Sequence, residues 1–318
     1  MTDPLGLVFL VAALGFVVLN GVNDGGALVA ASLKTPVLRP LTVIGLICAT
    51  LALVPALGAA AVAGTLADGL VPADPSTRRT LLAAGLAACL LVVGLLNRRG
   101  LPTSLTLALV GGVVGAGVGA GESVEWSRVG VVVLVGIAAP FVGGALGLAL
   151  RGLGAIPRSR VRSAHVVTVA GQALAYAAND GQKTYAAMAA ATLAPVGAGV
   201  APPVWMLVVV PVLFGVGAAL GVRRARGTLA GGGVLRTRPR DEVAAEAASA
   251  VAVLGSSAVG APVSMTQSIV GSLVGAGLTR GRRHVRWRAA GRLVLAWVLT
   301  LPSSALAGVV LGAMLGLL

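Results

Sequence analysis

Charge is scarce in this 318-residue chain: charged residues make up 11% of it, and acidic residues number only 10. A soluble domain of this size covers itself with polar groups, so the scarcity excludes one. Two cysteines, Cys48 and Cys89, both inside apolar runs, exclude a disulfide framework and read as small core residues. Two histidines, His165 and His284, stand in or near basic connectors with no metal-ligand spacing and no nucleophile–base set around them. An enzyme is therefore not expected, nor a cofactor. No basic residue precedes the first apolar run, so the N-terminus lacks the positive region of a cleaved signal peptide and reads as a first span.

What is present is apolar: 57% hydrophobic residues, 46 glycines and a mean hydropathy of +0.97. That is the composition of a polytopic membrane protein, in which small residues let helices approach closely. The fold class expected is all-α, with apolar runs at 5–33, 40–66, 80–97, 101–121, 129–150, 163–193, 202–222, 243–258, 262–278 and 293–316. The net charge of +14 would suit nucleic acid or an anionic surface, but its placement decides otherwise. Of the 24 basic residues, 20 fall in five short connectors, around Lys34 and Arg39, Arg98 and Arg99, Arg151 to Arg162, Arg223 to Arg240, and Arg280 to Arg292. The alternate connectors hold only Arg78, Arg79 and Arg128, which is the positive-inside pattern of membrane topology rather than a nucleic-acid surface. With those five connectors cytoplasmic, both termini lie outside a multi-pass protein of the cell membrane.

Five runs per half mean that the second half enters the membrane in the opposite sense, an inverted-topology internal repeat. The first repeat is read as 1–150, a basic cytoplasmic connector as 151–162, and the second repeat as 163–318, with 223–242 a cytoplasmic linker inside it. Segments 102–117 (PTSLTLALVGGVVGAG) and 262–277 (PVSMTQSIVGSLVGAG) share 9 of 16 positions at an offset of 160. Both start at a proline and carry hydroxyls, so 101–121 and 262–278 read either as spans or as re-entrant hairpins, which irregular backbone permits where it lines a cavity.

The residues that bear chemistry sit at matching points of the two halves. Asn23-Asp24 and Asn179-Asp180 lie deep in apolar sequence at an offset of 156. A carboxylate there costs several kcal/mol, so an intramembrane acid is a functional-site hypothesis by default. The glycines around Asn23-Asp24 predict a broken, unwound helix whose freed carbonyls, with the carboxylates, suit a small cation and whose freed amides suit an anion. Lys183 is the only basic residue inside a run, placed to pair with an Asp, to touch an anion or to snorkel to an interface. Ser104, Thr106, Ser264 and Thr266 are symmetric hydroxyls able to donate to an oxyanion.

These residues resemble a known family. NGVNDGGA and YAANDGQKT are similar to the duplicated Gly-Ala-Asn-Asp signatures of the inorganic phosphate transporter (PiT) family, and PTSLT and PVSMT to its paired Pro-Val-Ser-Thr-Thr-His elements. All four occur in family order across nearly the whole chain. The resemblance implies a secondary transporter importing inorganic phosphate by symport with Na+ or H+, the halves alternating around a midplane site. It implies Asn23, Asp24, Asn179 and Asp180 as coupling-cation residues, Asp24 and Asp180 as Na+ ligands. Ser104, Thr106, Ser264 and Thr266, with Lys183, line the phosphate pocket on this reading. The chain departs from the family pattern at Leu107 and Gln267 for the terminal His, Leu105 and Met265 for the middle Thr, and Ala27 for a later Asn. Phosphate, free or as a metal complex, membrane lipid and a second copy of the chain are the expected partners. A sulfate permease of the same fold is the nearest alternative. A passive anion channel is disfavoured by the buried acids, since anion pores prefer basic rings.

Overall fold

In the computed structural model, residues 4–33, 35–57, 61–98, 103–152, 157–194, 200–225 and 238–316 are described, and among them there is no strand. Lys34, Arg99, Pro102, Arg226 and Arg236, read above in connectors or motifs, lie outside these residues. Helix α1 runs through Pro4–Asn20, Gly21–Gly25 and Gly26–Ser32 without interruption, followed by α2 (Pro40–Ala56) and the short α3 (Ala61–Gly64). Then come α4 (Pro75–Arg98), α5 (Leu105–Gly119) and α6 (Trp126–Gly152). In the second half, α7 runs through Val161–Tyr176, Ala177–Gly181 and Gln182–Thr192, and is followed by α8 (Val204–Ala225). The chain closes with α9 (Pro239–Ala258), α10 (Met265–Leu278) and α11 (Trp287–Gly316).

Gly6–Ser32, Pro75–Arg98, Trp126–Gly152, Val204–Val222 and Trp287–Gly316 are long and apolar enough to cross a membrane. Helices α5 and α10 are not: at 15 and 14 residues they span roughly 21–23 Å, short of a hydrocarbon core of about 30 Å. Neither crosses alone. Both are sheathed almost entirely by protein, with every residue from Leu105 to Gly117 buried. The apolar run 40–66 likewise is not one helix: α2 ends at Ala56, and Leu57 leaves the helical region at φ −83°, ψ 7°. Outside the apolar zone, Asp74 begins α4 by accepting from the Ser76 hydroxyl and from the backbone N–H groups of Ser76 and Thr77, which holds its carboxyl well below the usual range.

The expectation of unwound helices at the Asn-Asp pairs needs correction. Gly21–Gly25 and Ala177–Gly181 are π-helical turns, and the residues on either side keep right-handed helical dihedrals, such as φ −62°, ψ −44° at Asn20 and φ −60°, ψ −36° at Gln182. The rod widens by one residue instead of opening, a feature frequent at functional sites. The glycines there serve packing: a Cβ on Gly21 would lie 2.2 Å from the Phe214 carbonyl oxygen, and one on Gly221 would lie 2.0 Å from that of Val22.

The shared tail of the 102–117 and 262–277 segments is also a packing device. Gly111 and Gly115 of α5 abut the α11 backbone at Leu301 and Ala305, while Gly271 and Gly275 of α10 abut the α6 backbone at Pro140 and Gly144. Each short helix thus lies against the last long helix of the opposite half, with backbones in near contact as small residues allow. Helices α2 and α8 exchange in the same way, α2 packing on α7 and α8 on α1.

Candidate functional site

The wide turns carry Asn23-Asp24 and Asn179-Asp180 to the N-terminal ends of α5 and α10. Each asparagine holds the segment that leads into its own half's short helix. The Asn23 amide donates to the Thr103 carbonyl at 3.2 Å. The Asn179 amide donates to the Ala261 carbonyl at 3.2 Å and to Ser257 Oγ at 3.0 Å, while its Oδ1 accepts from the Val263 N–H at 3.1 Å. Each aspartate faces the other half. Asp24 Oδ1 accepts from the Thr266 hydroxyl, and Asp180 reaches Thr106 through Lys183.

Lys183 does not snorkel. Its side chain is 2% exposed beside an Asp180 that is 1% exposed, and its ammonium donates to Asp180 Oδ1 at 2.7 Å, Thr106 Oγ1 at 2.6 Å and the Val263 carbonyl at 2.5 Å. Those three bonds occupy all its donors. The Thr106 hydroxyl in turn donates to the Val263 carbonyl at 2.9 Å, tying the starts of α5 and α10 together.

Ser104 and Ser264 are N-caps. Ser104 Oγ accepts from the Leu107 N–H at 3.3 Å and Ser264 Oγ from the Gln267 N–H at 3.5 Å. As acceptors in these bonds, both hydroxyls keep their own hydrogen, and both sit where the first-turn amides of a short helix lack intrahelical acceptors. An anion is favoured at such an end by the helix dipole as well. The four predicted hydroxyls therefore divide into two kinds: Thr106 and Thr266 donate within the protein, whereas Ser104 and Ser264 have donors to spare.

Oxygens without partners collect at the same place. Asp24 Oδ2, Asp180 Oδ2, Asn20 Oδ1, Thr103 Oγ1 and Gln267 Oε1 are buried with no hydrogen-bond partner among the described residues. Buried acceptors left open are costly, and hard oxygen ligands are what a small cation takes. Two residues of this region escaped sequence reading: the Asn20 amide donates to Thr184 Oγ1 at 2.9 Å, and that hydroxyl donates to the Asp180 carbonyl at 3.1 Å. Their signal was one-turn spacing, Asn20 before Asn23 and Thr184 after Asp180. Also unread was a buried polar track along α7 and α9, in which His165 Nδ1 meets Glu246 Oε2 at 3.0 Å and the Gln172 amide donates to Ser249 Oγ at 2.7 Å.

Intramembrane acids, half-length helices and a polar centre enclosed by apolar rods define a multi-pass membrane transporter, not an enzyme. Residues 20–156 and 153–308 both match the model of the phosphate transporter family, and the chain belongs to that family. It is 35% identical over 327 residues to a probable low-affinity inorganic phosphate transporter of Mycobacterium bovis, covering 95% of this chain and 75% of that protein. It is 27% identical to one of Bacillus subtilis, covering 96% of each. Its fold matches a solved sodium-dependent phosphate transporter with a TM-score of 0.83 at 17% identity, over 99% of this chain and all of the other.

Proposed function

We propose that the protein imports inorganic phosphate by symport with Na+, through alternating access around the Asp24–Asp180 site. The observation that carries this reading is the cluster of unpartnered buried oxygens beside two aspartates and two serine-capped half-helices. The oxygens of Asn20, Asp24, Thr103 and Asp180 offer cation ligands, and Ser104 and Ser264 with the first turns of α5 and α10 offer anion donors. With Asp24, Asp180 and Lys183 ionised, the empty site bears one net negative charge, which repels a phosphate dianion until cations bind. Coupling follows from that electrostatics.

Phosphate entering the site competes for Lys183, which releases Thr106 or Val263 to take it. Because the Lys183 bonds join α7 to the starts of both short helices, their exchange links occupancy to the relative position of the halves. The halves insert in opposite senses in this reading, with the Arg-rich connectors cytoplasmic and both termini outside.

Uptake of labelled phosphate into proteoliposomes, with Na+ and pH gradients imposed separately, tests the proposal. Accumulation driven by the Na+ gradient alone is the expected result, and accumulation driven only by the pH gradient rejects Na+ coupling. Asp24→Asn and Asp180→Asn are each expected to insert yet abolish uptake. Normal cation-coupled uptake by either variant rejects the site.

A further inference from the structure

Three of the five basic connectors meet around a cavity of about 480 Å³, lined by Thr35, Pro36 and Val37, by Arg151, Val161 and Arg162, and by Arg238, Pro239 and Arg240. From this cavity we infer a second anion site, lined by none of the residues of the Asp24–Asp180 centre and separate from it in chemistry, that binds a phosphate-bearing polyanion larger than orthophosphate.

Topology alone accounts for arginines in connectors, but it requires only charge, at any place in them. It does not require four arginines from two connectors to line one hollow. Nor does it require the Nε of Arg240 to be buried with no hydrogen-bond partner, as it is here. The local carboxylates are already committed. Asp241 accepts from Arg151 Nε at 2.7 Å, from Arg280 Nη1 at 2.8 Å and from the Arg238 backbone N–H at 3.0 Å. Glu242 accepts from the Thr35 hydroxyl at 2.5 Å. Among the described residues, Arg162 and Arg240 pair with no carboxylate, and four lining arginines exceed the two neighbouring acids.

Shape points the same way. The volume falls in the range of small-molecule pockets and far exceeds what a single tetrahedral anion fills. Helices α7 and α9 both begin at its wall, at Val161 and Pro239, which adds the positive ends of two dipoles. Guanidinium forks match phosphate oxygens in pairs, so several arginines around one cavity favour a ligand with more than one phosphate group. The same chemistry is presented by a soluble polyphosphorylated molecule and by the headgroup of an anionic lipid, which polybasic segments at the membrane surface attract.

The test uses the full chain in nanodiscs of neutral lipid, with inorganic tripolyphosphate as the probe and calorimetry as the readout. One equivalent is expected to bind, at least tenfold more tightly than orthophosphate at this site. The double variant Arg162→Gln/Arg240→Gln is expected to weaken binding tenfold or more, while Asp24→Asn leaves it unchanged. Circular dichroism of the double variant, whose changed residues are partly exposed, is expected to match the parent. No binding, binding indifferent to the double variant, loss of binding with Asp24→Asn, or equal affinity for orthophosphate overturns the inference. Nanodiscs containing anionic lipid then separate the two sources. If a lipid headgroup is the natural occupant, tripolyphosphate affinity falls in the parent, and native mass spectrometry shows lipid retained by the parent but not by the double variant. If the occupant is soluble, affinity is unchanged and no lipid is retained preferentially.

Discussion

Replacing Lys183 by methionine, which keeps its unbranched stem out to Cε and removes the ammonium, probes the centre of the proposed site most directly. The parent buries the pair almost completely, with Lys183 2% and Asp180 1% exposed. Removing one partner of a buried ion pair strands the other, at a cost of about 3–5 kcal/mol. The exchange also takes a donor from Thr106 Oγ1 and from the Val263 carbonyl, but Thr106 still donates to Val263, so the carbonyl is not orphaned. The stranded charge on Asp180 therefore dominates. Asp180→Asn strands the ammonium instead and is expected to cost a similar amount. The double variant Lys183→Met/Asp180→Asn holds neither charge, so its cost is expected to fall below the sum of the singles by about 2–3 kcal/mol, a coupling typical of residues in one network. Reversible unfolding in mixed micelles with increasing SDS, followed by far-UV circular dichroism, measures all three. Strict additivity, or a single variant within about 0.5 kcal/mol of the parent as for a surface substitution, refutes the reasoning.

Other predictions follow from the same contacts. Thr266→Val removes the hydroxyl that donates to Asp24 and is expected to cost about 1–3 kcal/mol, to shift the Na+ dependence of uptake to higher concentration, and to be rescued by Thr266→Ser, as a Na+ titration would show. Ser104→Ala and Ser264→Ala each lose an N-cap worth about 1 kcal/mol, and are expected to raise the KM for phosphate with insertion intact, read from uptake kinetics and folded yield. Gly275→Ala places a Cβ 1.8 Å from the Gly144 carbonyl oxygen and is expected to lower folded yield sharply. Gly94→Ala, with nothing within 4 Å, is expected to gain about 0.5–1 kcal/mol, and chromatography of fluorescent fusions compares the two.

Residue types and their duplication made the acids, the hydroxyl elements and the family legible before any fold was known. A buried Asp is conspicuous in hydrocarbon sequence because nothing else there carries charge. Backbone state was less legible. Glycines beside Asn23-Asp24 suggested an unwound segment, yet the same lack of a Cβ lets α8 press against α1, and packing won over flexibility. Crossing number was ambiguous for α5 and α10 because apolar composition does not distinguish protein surroundings from lipid. The Asn20–Thr184 bond joins residues 164 positions apart, and no local pattern reports such a pair. His165 read as a connector histidine, although it is buried against Glu246 and only the register of α7 on α9 brings them together.

The exchange of short helices between halves bears on how the chain is made. Ser304 of α11 donates to the Ala108 carbonyl of α5 at 2.6 Å, across 196 residues, and Gly111, Gly115 and Gly119 of α5 meet the α11 backbone at Leu301, Ala305 and Val309. During synthesis that face therefore waits, unmatched, until α11 leaves the ribosome. Completion of this α5 contact is deferred until α11 has been made, and a nascent chain stopped before residue 287 carries an unfilled groove along α5. On the proposed function, this late closure keeps the cation and anion site from being completed in a half-made, leaking protein.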